Sequence, residues 1–118
     1  PKNIEGENWV VYTGTHDNST SISWWQSLDS DSKSRIRDNF KFSDKPSWSL
    51  IEIGMNTNAN LFIAPIQDIL SLDDSCRLNK PGTIKNNWKW KLNQPLEEIE
   101  ESMMVFSKLG SDSGRIRN

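Results

Sequence analysis

The feature that most constrains the fold of this chain is an unbroken apolar run of six residues from Leu61 to Ile66. A strand with one solvated face alternates apolar and polar residues, whereas a continuous run is typical of a strand buried on both faces, as in a parallel sheet. Pro65 has no backbone N–H and cannot complete the ladder of a central strand, so we expect the regular strand to end just before it. The run therefore predicts a parallel strand that other elements cover.

A second strand is predicted near the amino terminus, where the β-branched and aromatic run from Trp9 to Thr13 precedes Gly14. Between the two strands, apolar residues spaced three or four apart predict three helices. The first helix is expected to take its N-cap from residues 19–21, the second to span residues 30–40, and the third to follow an N-cap at Ser47. The polar turn at residues 14–18 then lies between a strand end and a helix start.

One further helix is predicted after the second strand. Residues 71–92 are rich in polar, Gly and Pro residues but include Trp88 and Trp90, and we expect a long ordered loop there. The final helix is expected to begin at Pro95 and to stop at Gly110, and residues 111–118 are expected to form a frayed tail. This order of elements corresponds to two βα units of an α/β fold. Two units cannot close an eight-stranded barrel, which takes roughly 250 residues.

Composition excludes several kinds of site and partner. The chain has 14 basic and 16 acidic residues and a net charge of −2, so neither nucleic acid nor a membrane surface is expected as a partner. Its single cysteine, Cys76, cannot form an internal disulfide and has no His/Cys cluster around it. We therefore expect no metal and no cofactor, and a reducing compartment is favoured. No stretch approaches the roughly 18 apolar residues of a membrane span.

The sharpest candidate for a functional site is the pair His16 and Asp17, directly after the first predicted strand. Sites of βα proteins collect where strands meet the following loops. Two interpretations are open: Asp17 and Asn18 could cap the next helix, or the carboxylate and the imidazole could hydrogen-bond a polyol ligand. Nucleophilic catalysis by Ser or Cys is not expected, because neither a nucleophile elbow nor a cysteine motif accompanies the histidine.

Gln67 and Asp68 occupy the equivalent position after the second predicted strand. A glycosidase could use Asp17 and Asp68 as its two carboxylates, but helix capping or loop anchoring is the favoured role for Asp68. The loop from residue 77 to residue 90 offers amides, cations and the indoles of Trp88 and Trp90, which suit the hydroxyls and rings of sugars. Packing of the loop by those indoles is an equal alternative.

Three segments together carry a resemblance to a known family. They are Val11-Tyr12-Thr13-Gly14-Thr15-His16-Asp17-Asn18, then Ala64-Pro65-Ile66-Gln67-Asp68-Ile69-Leu70, then Arg77-Leu78-Asn79-Lys80-Pro81-Gly82-Thr83 with Asn87-Trp88-Lys89-Trp90. In this order and spacing they resemble the 4-alpha-glucanotransferases of the amylomaltase and plastid disproportionating-enzyme type. The resemblance covers most of residues 9–92, and no one segment would be specific alone.

The resemblance implies a fold and a reaction. The family is similar to the α-amylase clan, whose (β/α)8 TIM barrel would here transfer α-1,4-glucan segments between maltooligosaccharides by a retaining double displacement. The resemblance assigns residues 1–118, as a single fragment, to the last two βα units of the barrel, and these two units are incomplete on their own. The expected partners are maltooligosaccharides or other α-1,4-glucans and the missing amino-terminal part of the same barrel. The expected location is cytoplasmic or the plastid stroma.

The resemblance also implies roles for individual residues. Asp17 matches the third catalytic carboxylate of the family, a transition-state stabiliser, and His16 matches the histidine paired with it. The residues expected to contact substrate or shape the pocket floor are Asn79, Asn18, Gln67 and Asp68. The nucleophilic Asp and the acid/base Glu of the family lie on earlier strands, so this chain alone is expected to be inactive. Two alternatives are a non-catalytic Trp-rich glucan-binding module and a glycoside hydrolase.

Overall fold

The chain folds into a mixed helix and strand structure, which a computed structural model describes for residues 8–115. Along the chain, the described elements are β1 (Val10–Tyr12), α1 (Ser21–Ser27), α2 (Ser30–Asn39), α3 (Pro46–Met55), β2 (Leu61–Ile63), α4 (Ile66–Ile69), a 3-10 turn (Asp74–Cys76) and α5 (Leu96–Asp112). The two predicted strands, the three helices between them and the last helix are present, whereas α4 and the 3-10 turn are short elements that the sequence did not predict. In residues 8–115, none of the helices has the length and apolar character needed to cross a bilayer.

The two strands form a parallel pair in which Val11 lies opposite Phe62. The predicted parallel sheet is therefore confirmed, with α1, α2 and α3 as the crossover between its strands. The prediction that β2 is buried on both faces is wrong for the described residues, because Leu61 is 51% exposed and Ile63 is 38% exposed. The reason is that the described helices cover one face of the sheet. The central residue of β2, Phe62, belongs to that covered face and packs against the core.

The core lies between this covered face and the helices α3, α4 and α5. Ile51 and Met55 of α3 are buried together with Ile69 of α4. Phe62 and Phe106 of α5 pack against them, with their ring centroids 6.4 Å apart. These contacts hold the two βα units together on the helical side of the sheet.

Helix α3 approaches β2 closely at Gly54. A Cβ atom at this position would lie 2.2 Å from Cε2 and 2.8 Å from Cδ2 of the Phe62 ring. Gly54 is buried, so no side chain could escape into solvent. The absence of a side chain at this one position therefore sets the distance between α3 and the sheet.

A residue that follows helix α5 hydrogen-bonds the carbonyls at the C-terminal end of α3. Arg115 donates from Nε to the Met55 carbonyl at 2.7 Å, from Nη1 to the Ala59 carbonyl at 2.7 Å and from Nη2 to the Thr57 carbonyl at 2.9 Å. A cation suits this place because the last carbonyls of a helix have no partners within the helix.

The predicted stop of the last helix at Gly110 is wrong. Gly110 is buried within α5, which continues to Asp112, and the left-handed residue that ends it is Gly114 with φ of 80°. Residues 111–115, predicted to fray, belong to the packed structure in which Arg115 bonds to α3, whereas residues 116–118 lie outside the described residues. The expected N-cap of α3 at Ser47 is also wrong, since α3 begins at Pro46 after Lys45. Proline is favoured at this first helical position because its missing N–H would have no partner there.

The close approach at Gly54 predicts a loss of stability in the variant Gly54→Ala. The added methyl group would collide with the Phe62 ring, which stacks against Phe106, and we expect the free energy of unfolding to fall by about 1–3 kcal/mol. Chemical denaturation measures this change. The matched control is Gly14→Ala, whose Cβ would meet its nearest atom at 3.6 Å, an ordinary contact. Equal stabilities of the two variants would show that α3 does not depend on the missing side chain.

Candidate functional site

The candidate site lies where the two parallel strands end. Because β1 and β2 run in the same direction, the strand-end loop (residues 13–20) meets the chain that follows β2. A cleft at this edge is lined by Gly14, Thr15, His16, Asn18, Ser19, Thr20, Pro65, Gln67, Asp68, Arg77 and Leu78. The lining combines residues from both βα units, so the site depends on how the two units are joined.

Asp68 joins the two units beneath the cleft. Its side chain is buried, with the residue 2% exposed, and Oδ2 accepts hydrogen bonds from Thr13 Oγ1 at 2.6 Å and from Ser21 Oγ at 2.8 Å. Oδ1 accepts from the backbone N–H of Ser21, the first residue of α1, at 2.8 Å. This is the anchoring role that the residues alone favour. The carboxylate is occupied and away from solvent, so its placement lends no support to a direct contact with substrate.

A second carboxylate fastens the start of α1. Asp74 Oδ1 accepts from the backbone N–H of Thr20 at 2.8 Å, and the backbone N–H of Asp74 donates to Ser23 Oγ at 2.9 Å. The N-cap of α1 is Thr20, whose side chain accepts from the N–H of Ser23. The alternative that Asp17 and Asn18 cap this helix is therefore wrong. Their side chains are left for other contacts.

Asp17 and Asn79 lie together with His16, which lines the cleft. Asn79 Nδ2 donates to Asp17 Oδ1 at 2.6 Å although the two residues are 62 positions apart. His16 Nε2 lies 3.3 Å from Asp17 Oδ2, and the two side chains are 50% and 51% exposed. The carboxylate is thus oriented on two sides and still open to solvent, as a group that receives a polar ligand must be.

The other predicted site residues have structural contacts. Asn18 Oδ1 accepts from the N–H of Thr15 at 2.8 Å and closes the strand-end turn. Gln67 is buried, and its Nε2 donates to the Cys76 carbonyl at 3.2 Å. Both residues line the cleft, so they shape its wall through these bonds.

Arg77 is a site residue that the sequence interpretation did not single out. Its guanidinium donates from Nη2 to the Asp17 carbonyl at 3.1 Å and from Nε to the Asn79 carbonyl at 3.2 Å. Nη1 lies 3.7 Å from Asp74 Oδ2, and the Arg77 side chain is 15% exposed. The Arg77 guanidinium therefore holds the backbones of Asp17 and Asn79, whose side chains are hydrogen-bonded to each other. The feature of the sequence that could have identified Arg77 is its place as a cation two residues before Asn79 in a polar loop.

The indole of Trp88 borders the same group. Its ring centroid lies 4.9 Å from that of His16 with a tilt of 46°, and the residue is 61% exposed. Among residues 8–115, no group of three or more His, Cys, Asp or Glu side chains is placed to hold a metal ion. The chemistry offered by this site is hydrogen bonding by a carboxylate, an imidazole and an amide beside an apolar ring.

The anchoring contacts predict different costs for two substitutions of Asp68. Asp68→Ala leaves the Ser21 N–H and two hydroxyls without their acceptor, and we expect the free energy of unfolding to fall by about 3 kcal/mol. Asp68→Asn keeps one oxygen for the Ser21 N–H and should cost less. Asp44→Ala, an exposed carboxylate, is the control and should stay within about 0.5 kcal/mol. Equal urea midpoints for Asp68→Ala and the control would contradict the anchor.

The folded chain resembles a solved amylomaltase. It superposes with a TM-score of 0.88 on the amylomaltase from Streptococcus agalactiae in complex with acarbose, covering 99% of this chain and 24% of that one. The sequence identity is 23%, so this likeness shows the fold alone. The amylomaltase is a TIM-barrel enzyme, which agrees with the α/β class predicted for this chain.

Sequence comparisons identify the family. A family model described as 4-alpha-glucanotransferase matches residues 1–97. The chloroplastic/amyloplastic 4-alpha-glucanotransferase DPE1 of Oryza sativa subsp. japonica is 42% identical over 99% of this chain and 18% of its own length. The Thermus thermophilus 4-alpha-glucanotransferase is 36% identical over 70% of this chain and 18% of its own length. The chain thus spans about a fifth of the length of these relatives, and it belongs to the 4-alpha-glucanotransferase family.

Proposed function

We propose that this chain supplies part of the donor-sugar site of a retaining 4-alpha-glucanotransferase, which transfers α-1,4-glucan segments between maltooligosaccharides. The observation that carries the proposal is the open carboxylate of Asp17, held at 2.6 Å by the Asn79 amide and at 3.3 Å by the His16 imidazole. The relatives are named for this transfer reaction, and the structural neighbour was solved in complex with acarbose. We propose α-linked glucose oligosaccharides as the ligand class here.

Asp17 would act as a transition-state stabiliser. A carboxylate has about four lone-pair positions, and the contacts with Asn79 and His16 occupy two of them. The others can accept hydrogen bonds from sugar hydroxyls, and such bonds strengthen as positive charge develops on the sugar ring. His16 would orient this carboxylate and donate to a hydroxyl, and the carbonyl oxygen of the Asn79 amide would accept from another.

Asn18, Gln67 and Asp68 would act mainly by shaping the cleft. Asn18 holds the turn that presents His16 and Asp17, and Gln67 fixes α4 to the 3-10 turn. Asp68 fixes the end of β1 and the start of α1. Contact of these three residues with sugar stays a prediction, with the exposed Asn18 better placed for it than the buried Gln67 and Asp68.

The bond-breaking pair would come from elsewhere in the barrel. A retaining mechanism needs a nucleophile and an acid/base about 5–5.5 Å apart. Asp68 and Asp74 cannot serve, because their carboxylates are bonded to the start of α1. We propose that the nucleophilic Asp and the acid/base Glu lie on earlier strands, and that residues 1–118 alone transfer no glucan.

The exposed face of the sheet supports the incomplete-barrel part of the proposal. Val10, Tyr12, Leu61 and Ile63 are each 38–51% exposed and alternate with the inward Val11 and Phe62. Parallel sheets of βα units are covered on both faces. Residues 1–118 would then be a single fragment holding the last two of eight βα units, with the remaining strands as its partner. The plant relatives are named as chloroplastic/amyloplastic enzymes, and we propose the plastid stroma or the cytoplasm as the location of this protein.

A chimaera tests this function. The rice relative with its matching segment replaced by residues 1–118 should convert maltotriose into glucose and longer maltooligosaccharides, whereas the 118-residue chain alone should not. Glucose and maltose without longer products would instead indicate hydrolysis. Binding of maltotriose with no turnover by the chimaera would favour a glucan-binding module.

The chimaera also tests the role of Asp17. We expect Asp17→Asn to lower kcat by roughly 100-fold or more without lowering the thermal midpoint, because Asp17 is half exposed and acts in the transition state. Asn79→Ala removes one oriented hydrogen bond and should lower kcat about tenfold. The control is Asp44→Asn. Full activity in Asp17→Asn, or turnover by the 118-residue chain alone, would contradict the proposal.

A further inference from the structure

Trp88 has a backbone conformation that bulky residues rarely adopt. Its φ is 60°, in the left-handed region, where a large side chain is disfavoured and persists when the surrounding structure imposes it. Asn86, two residues earlier, has φ of 62°. Asparagine adopts this region more readily than tryptophan does, so the backbone explains the identity of Asn86 but not that of Trp88.

The loop around Trp88 is clamped from both sides. Asn87 Oδ1 accepts from the backbone N–H of Lys80 at 3.0 Å, and Asn87 Nδ2 donates to the Thr83 carbonyl at 3.1 Å. The backbone N–H of Trp88 donates to the Leu78 carbonyl. These bonds hold the strained backbone through main-chain and amide groups. The indole itself is not required for any of them.

Packing does not account for the indole. Trp88 is 61% exposed, whereas Trp25, which stacks on Phe42 with centroids 4.4 Å apart, is 8% exposed. Within residues 8–115, the Trp88 indole is therefore not enclosed as the Trp25 ring is. The loop thus keeps a large apolar ring at the surface in a costly backbone conformation.

The position of the ring gives it a use. The indole lies against His16 at 4.9 Å, and His16 in turn lies 3.3 Å from the Asp17 carboxylate. Trp88 also lines an open depression together with Asn79, Asn86 and Lys85. An apolar face bordered by a few hydrogen-bonding groups matches a pyranose, which has C–H groups on one face and hydroxyls at its rim.

We infer that Trp88 is a stacking platform for a glucose ring, next to the ring that His16, Asp17 and Asn79 hold. The ligand class is an α-glucan of at least two glucose units, one at each position. The inference rests on the proposed function for the identity of the sugar. The indole is held beside His16 by a residue whose backbone is left-handed.

The test separates binding from stability in the variant Trp88→Asn. Asparagine adopts the left-handed conformation readily, so the thermal midpoint should stay equal to that of the wild-type chain or rise. Titration with maltotriose, followed by NMR, should give a Kd at least tenfold higher. Trp88→Phe keeps an aromatic face and should bind within about threefold of the wild type. In the wild type, the indole N–H signal that Trp88→Asn removes should shift with maltotriose.

Two results would overturn the inference. One is maltotriose binding by Trp88→Asn that equals the wild type; the other is a lower thermal midpoint together with lost binding, which would make the indole a packing residue. Asp17→Asn reports separately on the proposed function. If it leaves the kcat of the rice chimaera unchanged while Trp88→Asn loses maltotriose binding, the proposed role of Asp17 fails and the platform stands.

Discussion

The buried carboxylate of Asp68 is the interaction on which the arrangement of the strand ends depends. A carboxylate away from water is costly unless its oxygens are bonded, and here Thr13 and Ser21 provide three hydrogen bonds. These bonds connect the end of β1 and the first residue of α1 to α4, which follows β2. The strand-end loop begins at Thr13, which this side chain holds, and is followed directly by Ser21, which it also holds. Its tip, with His16 and Asp17, is thereby fixed relative to the second βα unit.

Beyond this anchor, the site is built by polar contacts rather than by a hydrophobic core. Asp74 fastens the 3-10 turn to the start of α1, and Arg77 then reaches the carbonyls of Asp17 and Asn79. The long connection between α4 and α5 has one short turn as its regular structure within the described residues. Its order comes from side-chain bonds to backbone, which fix geometry closely because each bond is directional. Such a loop can hold an exposed carboxylate and an exposed indole in place.

The elements were predictable from the sequence because their causes are local. The apolar run at residues 61–66 indicated a parallel strand, and the pairing of Val11 with Phe62 confirms it. Burial of both faces was predicted wrongly, because the covering of a strand depends on elements beyond the run itself. The stop at Gly110 was wrong for a related reason: a buried glycine inside a helix looks like a helix end until its neighbours are known, and Gly114 supplies the left-handed residue.

The site was predictable only in part. The sequence alone left two roles open for Asp17, a helix cap and a ligand contact, and the N-cap of α1 proved to be Thr20. The bond from Asn79 to Asp17 spans 62 positions, a distance over which no periodicity or spacing predicts contact. The family resemblance placed both residues at one site, and the comparisons confirm the family. Arg77 and the backbone of Trp88 became visible only in three dimensions.

The most direct test of the central claim is a crystal structure of the rice chimaera with acarbose bound. The predicted result is a sugar hydroxyl within about 3.2 Å of the Asp17 carboxylate and another at the Asn79 amide. Asp68 should still accept its bonds from Thr13 and Ser21, without touching the ligand. Acarbose bound away from Asp17, or an Asp68 carboxylate released from Ser21 to bind the sugar, would contradict the division of roles between an anchoring carboxylate and a substrate-binding one.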